Sequence, residues 1–125
     1  MNIVSQLAVL VASLIHIMIF VMESVLFARA QIHRGTFGVA SDDLPAVRPW
    51  AFNQGFYNLF LAVGGLAGLI VLHAGSADAG RALVALACGS MLAAAVVLLA
   101  TNLKMVRPAA IQGLAPLIAL VFLLV

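Results

Sequence analysis

Four long apolar stretches, separated by short polar segments, make up this chain. We place the stretches at about residues 3–28, 50–72, 82–103 and 108–125. Each is close to the roughly 20 residues that an α-helix needs to cross the hydrocarbon core of a bilayer. The intervening segments, 29–49, 73–81 and 104–107, carry every charged residue of the chain except Glu23. The pattern predicts an all-α fold, in which residues 1–125 form a single membrane domain, an integral membrane bundle of four transmembrane helices.

The composition supports a membrane protein. The chain of 125 residues is 66% hydrophobic and 8% charged, whereas a soluble domain is about 45–50% apolar and about 25% charged. A soluble domain of this size could not bury so many apolar residues, because much of its surface stays in water. The composition excludes a nucleic-acid-binding module, a disulfide-stapled secreted domain and a disordered regulator. The net charge of +2 is too small for binding a polyanion.

The distribution of Lys and Arg predicts the orientation in the membrane. The first and third connections contain most of these residues, and the second contains only Arg81. Since cytoplasmic loops carry the excess of positive charge, we expect loops 29–49 and 104–107 in the cytoplasm and both termini outside. Labelling a cysteine introduced at Thr36 or Lys104 from the outside would contradict this orientation. The basic residues on the predicted cytoplasmic side are Arg29, Arg34, Arg48, Lys104 and Arg107.

The first connection shows a helix signal of its own. Ser41 is followed by Asp42, Asp43 and Leu44, and a hydroxyl N-cap with acidic residues in the first turn is typical of a helix start. We predict a short interfacial helix near 42–48. The connection can then be either a lid over the bundle or a plain surface connector.

Polar residues inside the spans are the strongest functional signal. An ionisable group in a membrane is costly, so it usually faces the bundle interior and marks a site. Glu23 has no Lys or Arg three or four positions away, and His16 lies seven residues earlier on the same face, about 10 Å along the helix. We predict that Glu23 and His16 form a general acid/base pair or a proton relay. Alternatively, His16 donates a hydrogen bond between helices. At helical spacing, one arc of about 100° holds all polar residues of this span: Asn2, Ser5, Gln6, Ser13, His16, Glu23 and Ser24.

The other three helices also bring polar residues to the cytoplasmic third of the membrane. We predict a one-sided pocket there, open to the cytoplasmic leaflet, in which these residues bind the polar group of a substrate. The alternative is that the amides only hold the bundle together, at about 0.6 kcal/mol per contact. The candidate substrate-binding residues are Asn53, Gln54, Tyr57, Asn58, Asn102 and Gln112.

Small residues recur at four-residue spacing on two helices. Gly64 and Gly68 form a Gly-x-x-x-Gly step, and Ala85, Gly89 and Ala93 repeat the spacing on the third helix. Such steps let two helices approach closely. The contact can lie within one bundle or between copies of a homo-oligomer.

The beginning of the second helix resembles a known signature. The run from Asn53 to Ala62 is similar to the pattern Asn-Gln-Gly-x-Tyr-Asn-x-Phe-Leu-Ala of the domain of unknown function 1304 family, which consists of small bacterial membrane proteins. His16 with Glu23, Phe37 with Gly38, and Gln112 with Gly113 are similar as well. The family's Gln-Gly-x-Pro pattern differs here, since Pro116 lies one position later. The resemblance implies a four-helix protein of the inner membrane and supplies no reaction.

Three classes of function are compatible with these residues. The first is an acid/base enzyme, or a binder, for a lipophilic small molecule. The alternatives are a proton-coupled small-solute transporter and a structural membrane subunit. We expect no cofactor and no metal, since His16, His33 and His73 lie at three different depths. The expected partners are membrane lipid, the lipophilic molecule and a second copy of the chain, and no nucleic acid.

Overall fold

The protein folds into four membrane-length helices without β-strands. The computed structural model describes all 125 residues, with α1 at Ile3–Phe20, α2 at Leu44–Ala74, α3 at Ala77–Thr101 and α4 at Val106–Leu123. A π-helical turn, Val21–Val25, continues α1, and short 3-10 turns precede α2 and α4. All four helical segments are long and apolar enough to cross a membrane. The predicted all-α, multi-pass membrane fold is therefore confirmed.

The second helix begins earlier than its apolar stretch. The sequence analysis places its start near Trp50, but α2 begins at Leu44. Ser41–Asp43 form one 3-10 turn that leads directly into α2, so the segment near 42–48 is the first part of α2 rather than a separate helix. Pro45 lies in the first turn, where its missing N–H would have no helical partner. Pro49 lies inside the helix, so its position does not mark the helix start.

The connection between α2 and α3 is also shorter than the polar pattern suggests. The helices end and begin at Ala74 and Ala77. The Ser76 hydroxyl caps α3 by accepting a hydrogen bond from the Ala79 N–H at 3.3 Å. A side-chain cap of this kind satisfies a backbone donor that has no partner within the helix. The cap therefore extends α3 five residues upstream of the predicted start.

The chain forms two compact units. One consists of Met1–Ile15 and Leu61–Val125, and the other of His16–Phe60. The first unit contains parts of all four helices. Its core is built from small and medium side chains, so neighbouring helices can pack closely. The core residues are Ala8, Val9, Val84, Cys88 and Ala119.

Glycines set the closest helix contacts of this first unit. A Cβ atom added at Gly80 would lie 2.5 Å from the Leu72 nitrogen and 2.8 Å from the Gly68 carbonyl oxygen. Gly68 is similarly close to Val84, so the close approach predicted from the Gly-x-x-x-Gly step occurs between α2 and α3. Gly89 has nothing within 4 Å of such a Cβ atom. No close helix contact therefore occurs at Gly89, the middle residue of the row Ala85, Gly89 and Ala93.

Polar residues of α1 tie the helices of the first unit together. The Ser5 hydroxyl donates to the Ala119 carbonyl at 2.8 Å, and the Asn2 amide donates to the Phe122 carbonyl at 3.1 Å. His73 Nε2 donates to the Gln6 side-chain oxygen at 2.7 Å. The Ser13 hydroxyl is buried without a hydrogen-bond partner. The first part of the polar arc on α1 therefore acts mainly through hydrogen bonds between helices.

Candidate functional site

The unit formed by His16–Phe60 holds Glu23 on an irregular turn. At Val21–Val25 the helix widens to π geometry, and the Leu26 N–H donates to the Val21 carbonyl at 2.9 Å. This π turn forms the C-terminal end of the α1 helix, a position at which such turns occur. The half-buried Glu23 lies in this turn, four positions before the buried Phe27.

Asn58 on α2 holds the carboxylate of Glu23. Its Nδ2 donates to Glu23 Oε2 at 2.9 Å and to the Gln54 carbonyl oxygen at 3.2 Å. The second bond fixes the amide relative to its own helix, so the first is aimed at the carboxylate. Asn58 is buried, and a hydrogen bond to an ionised group is stronger than one between neutral groups. The pair therefore sets the position of Glu23, the one acidic residue within the four apolar stretches of the sequence.

Gly55 allows α2 to come this close. A Cβ atom at Gly55 would overlap the Ser24 hydroxyl and would lie 3.1 Å from the Cβ atoms of Glu23 and Ser24. The Ser24 hydroxyl in turn donates to the Phe52 carbonyl at 2.7 Å. Backbone and short side chains thus meet at this crossing, and the Glu23–Asn58 bond depends on it.

A cleft of about 460 Å³ opens beside Glu23. Three of its eight lining residues are aromatic, and two of them, Phe27 and Phe37, are in contact at a ring-centroid distance of 5.5 Å. Glu23 is its one charged lining residue. The cleft is wide open, and its lining residue Trp50 is 77% exposed. The complete lining is Glu23, Phe27, Phe37, Val47, Trp50, Ala51, Asn53 and Gln54.

The connection between α1 and α2 is folded against the cleft. The buried His33 contacts the Val39 carbonyl through Nδ1 at 2.8 Å. Because a carbonyl can only accept, Nδ1 carries the proton. Gly38 follows Phe37 with φ of 68°, a left-handed conformation that glycine adopts without strain. These contacts hold Phe37 in the wall of the cleft.

The structure brings together four of the eight predicted site residues. Glu23, Asn53 and Gln54 line the cleft, and Asn58 binds Glu23. His16 belongs to the same unit and is buried, but it does not line the cleft. Tyr57 is 59% exposed and does not line it either.

The other two predicted residues belong to the first unit. Asn102 ends α3, and its side-chain oxygen accepts a hydrogen bond from the Lys104 N–H at 3.1 Å. Its amide therefore has a structural task as a cap. Gln112 lies half-buried in α4.

The cleft also contains residues that sequence reasoning missed. Phe27 lies four positions after Glu23, which is a same-face spacing. One face of α2 carries four residues that follow one another at spacings of four, three and four: Val47, Ala51, Gln54 and Asn58. The shared face of Val47 and Ala51 with Gln54 can be recognised only when α2 is known to begin at Leu44.

The structure shows no group of three or more His, Cys, Asp or Glu residues that could hold a metal ion. The chemistry that the cleft itself offers is therefore a carboxylate, two side-chain amides and aromatic faces. A carboxylate can exchange a proton with a bound molecule, and amides can orient a polar group.

Comparison with known proteins assigns the family. The family described as protein of unknown function (DUF1304) matches residues 10–124. No curated protein and no solved structure matches the chain. The matched range contains the whole cleft, including Glu23 and the segment from Asn53 to Asn58. The chain therefore belongs to the DUF1304 family.

Proposed function

We propose that the cleft binds a lipophilic small molecule through its polar group, with Glu23 as the acid/base. The observation that carries this proposal is the Glu23 carboxylate, held by Asn58 beside an aromatic cleft. Carboxylates within membrane spans are rare and usually functional. The side-chain amides of Asn53 and Gln54 would orient the polar group, while the apolar remainder of the molecule contacts the aromatic wall.

An enzyme using this cleft would catalyse a proton transfer. A single carboxyl group that takes up a proton at one carbon and returns it at another suffices for isomerisation of an apolar molecule. In hydration, the same carboxylate would take a proton from water as the hydroxyl group adds to one carbon and would return that proton to the neighbouring carbon. His16, seven positions before Glu23, would then exchange the proton with Glu23 by way of water molecules between the two side chains. A binding protein without turnover would use the same contacts.

We further infer a position in the cell inner membrane with both termini outside. The five basic residues of the first and third connections, against Arg81 in the second, support this orientation. In that orientation the end of α1 that carries Glu23 lies near the cytoplasmic leaflet. A lipophilic molecule dissolved in this leaflet would reach the cleft without crossing the membrane.

Native mass spectrometry in mild detergent tests the binding proposal. We expect the parent protein to carry a discrete lipophilic ligand, and the variant Glu23→Gln to carry at least tenfold less of it. Glutamine keeps the size of the side chain and still accepts a hydrogen bond from Asn58, so the loss would report the carboxylate. Asp78→Asn, which removes an exposed carboxylate at the start of α3, is the matched control and should retain the ligand. Bulk lipid alone in all three proteins would favour a structural subunit.

A further inference from the structure

The charges around the cleft are unbalanced. Glu23 is its only charged lining residue, and no Lys or Arg lines it. The remaining wall contains three aromatic rings, those of Phe27, Phe37 and Trp50. We propose that the ligand is a cation: an amphiphilic ammonium compound whose charged head lies between Glu23 and the aromatic rings. This inference rests on the proposed function and identifies the class of molecule that the cleft takes.

The protein itself supplies no counter-charge at this position. The three arginines of the same unit, Arg29, Arg34 and Arg48, are all exposed and outside the cleft. Arg34 donates instead to the Ser41 hydroxyl at 3.4 Å. The Nδ1 proton of His33 is directed to the Val39 carbonyl. A positive charge beside Glu23 therefore has to come from a bound molecule.

The neutral partner of Glu23 does not replace a cation. Asn58 donates one hydrogen bond to Oε2, which orients the carboxylate but leaves its net charge. An ionised carboxylate that is shielded from water is stabilised most by an opposite charge. An ammonium head would provide it, whereas a neutral ligand would not, and an anionic ligand would be repelled.

The aromatic wall favours the same class of ligand. The faces of Trp and Phe rings attract cations within about 6 Å of the ring centre, and aromatic cages are a recurrent means of binding quaternary ammonium groups. The buried Phe27 supports Phe37 at a ring-centroid distance of 5.5 Å, and the exposed Trp50 adds a second ring to the cleft. Asn53 and Gln54 also line the cleft, and an amide oxygen carries a partial negative charge that attracts a cation.

Trp50 makes the inference directly testable. It is the only tryptophan of the chain and lines the cleft, so its fluorescence reports occupancy. We would titrate the protein in uncharged maltoside micelles, because phosphatidylcholine itself carries a quaternary ammonium group. The probes are octyltrimethylammonium, octanol and octyl sulfate, which share one chain length and differ in charge. Equilibrium dialysis against empty micelles, which does not depend on Trp50, provides the second measurement.

We expect saturable binding of octyltrimethylammonium at a concentration at least tenfold below that of the other two probes. Glu23→Gln should remove this preference, whereas Asp78→Asn should keep it. Equal binding of octanol and the ammonium probe would overturn the cationic class and leave the proposed lipophile site intact. Tighter binding of octyl sulfate would overturn the cationic class as well. Absence of saturable binding for all three probes in both measurements would overturn this inference together with the proposed function.

Discussion

Replacing Gly80 by alanine is expected to destabilise the protein by about 1–3 kcal/mol, the usual cost of overpacking. The new Cβ atom would lie 2.5 Å from the Leu72 nitrogen, 2.6 Å from the Leu72 Cα and 2.8 Å from the Gly68 carbonyl oxygen. These are backbone atoms, which cannot rotate away, so α2 and α3 would have to separate. Intrinsic helix propensity predicts the opposite change in stability, since alanine is favoured over glycine by about 1 kcal/mol inside a helix. Thermal unfolding in mild detergent would measure the change.

Gly89→Ala is the matched control on the same helix. A Cβ atom at Gly89 would meet nothing within 4 Å, so this variant should be neutral or stabilised by up to about 1 kcal/mol. The two variants introduce the same methyl group and differ only in what surrounds it. Equal stability of both would show that α2 and α3 do not pack closely at Gly80.

Gly55→Ala is expected to reduce ligand binding in the cleft at least tenfold and to lower the melting temperature. Its Cβ atom would overlap the Ser24 hydroxyl and press on the Cβ atom of Glu23 at 3.1 Å. The hydroxyl would lose its bond to the Phe52 carbonyl, and Glu23 would move away from Asn58. Titration with the ammonium probe and thermal unfolding of the same samples would measure both effects.

Ser24→Ala separates the loss of the Ser24–Phe52 hydrogen bond from the displacement of Glu23. This variant loses the hydrogen bond to Phe52, which costs about 0.5–1.5 kcal/mol, but it leaves the position of Glu23 unchanged, so binding should persist. In the double variant, alanine at position 24 removes the overlapping oxygen and should restore part of the binding lost in Gly55→Ala. Parent-like binding by Gly55→Ala alone would contradict the close approach of α2 to the π turn.

The site depends on contacts between residues that are distant in the chain. Glu23 and Asn58 are 35 positions apart, and Gly55 brings them together because it leaves room for the side chains of Glu23 and Ser24 against α2. The aromatic residues of the cleft are likewise distant in the chain. Phe27 follows the π turn, Phe37 lies in the connection and Trp50 lies in α2. A single substitution at the crossing should therefore alter both the polar and the aromatic side of the cleft.

Particular residues show how far the sequence predicts the site. Depth in the membrane and shared helix faces predict Asn53, Gln54 and Asn58 near Glu23; Asn53 and Gln54 line the cleft with it, and Asn58 donates a hydrogen bond to it. Depth could not show that Tyr57 lies on an exposed face, since adjacent helix positions differ by about 100° in direction. Depth also could not separate the Asn102 side chain, which caps a turn, from one that lines a site.

The sequence by itself determined the four membrane-crossing helices and singled out Glu23. Both follow from the bilayer as a solvent, which acts on each segment separately: apolar length decides crossing, and a lone carboxyl group is costly wherever it occurs. Only the tertiary structure decided which side chains meet Glu23 and where α2 begins. The early start of α2 depends on prolines that its first turns tolerate. The contacts of Glu23 depend on the close approach of α2 at Gly55, and such contacts between distant residues leave no periodic pattern in a single sequence.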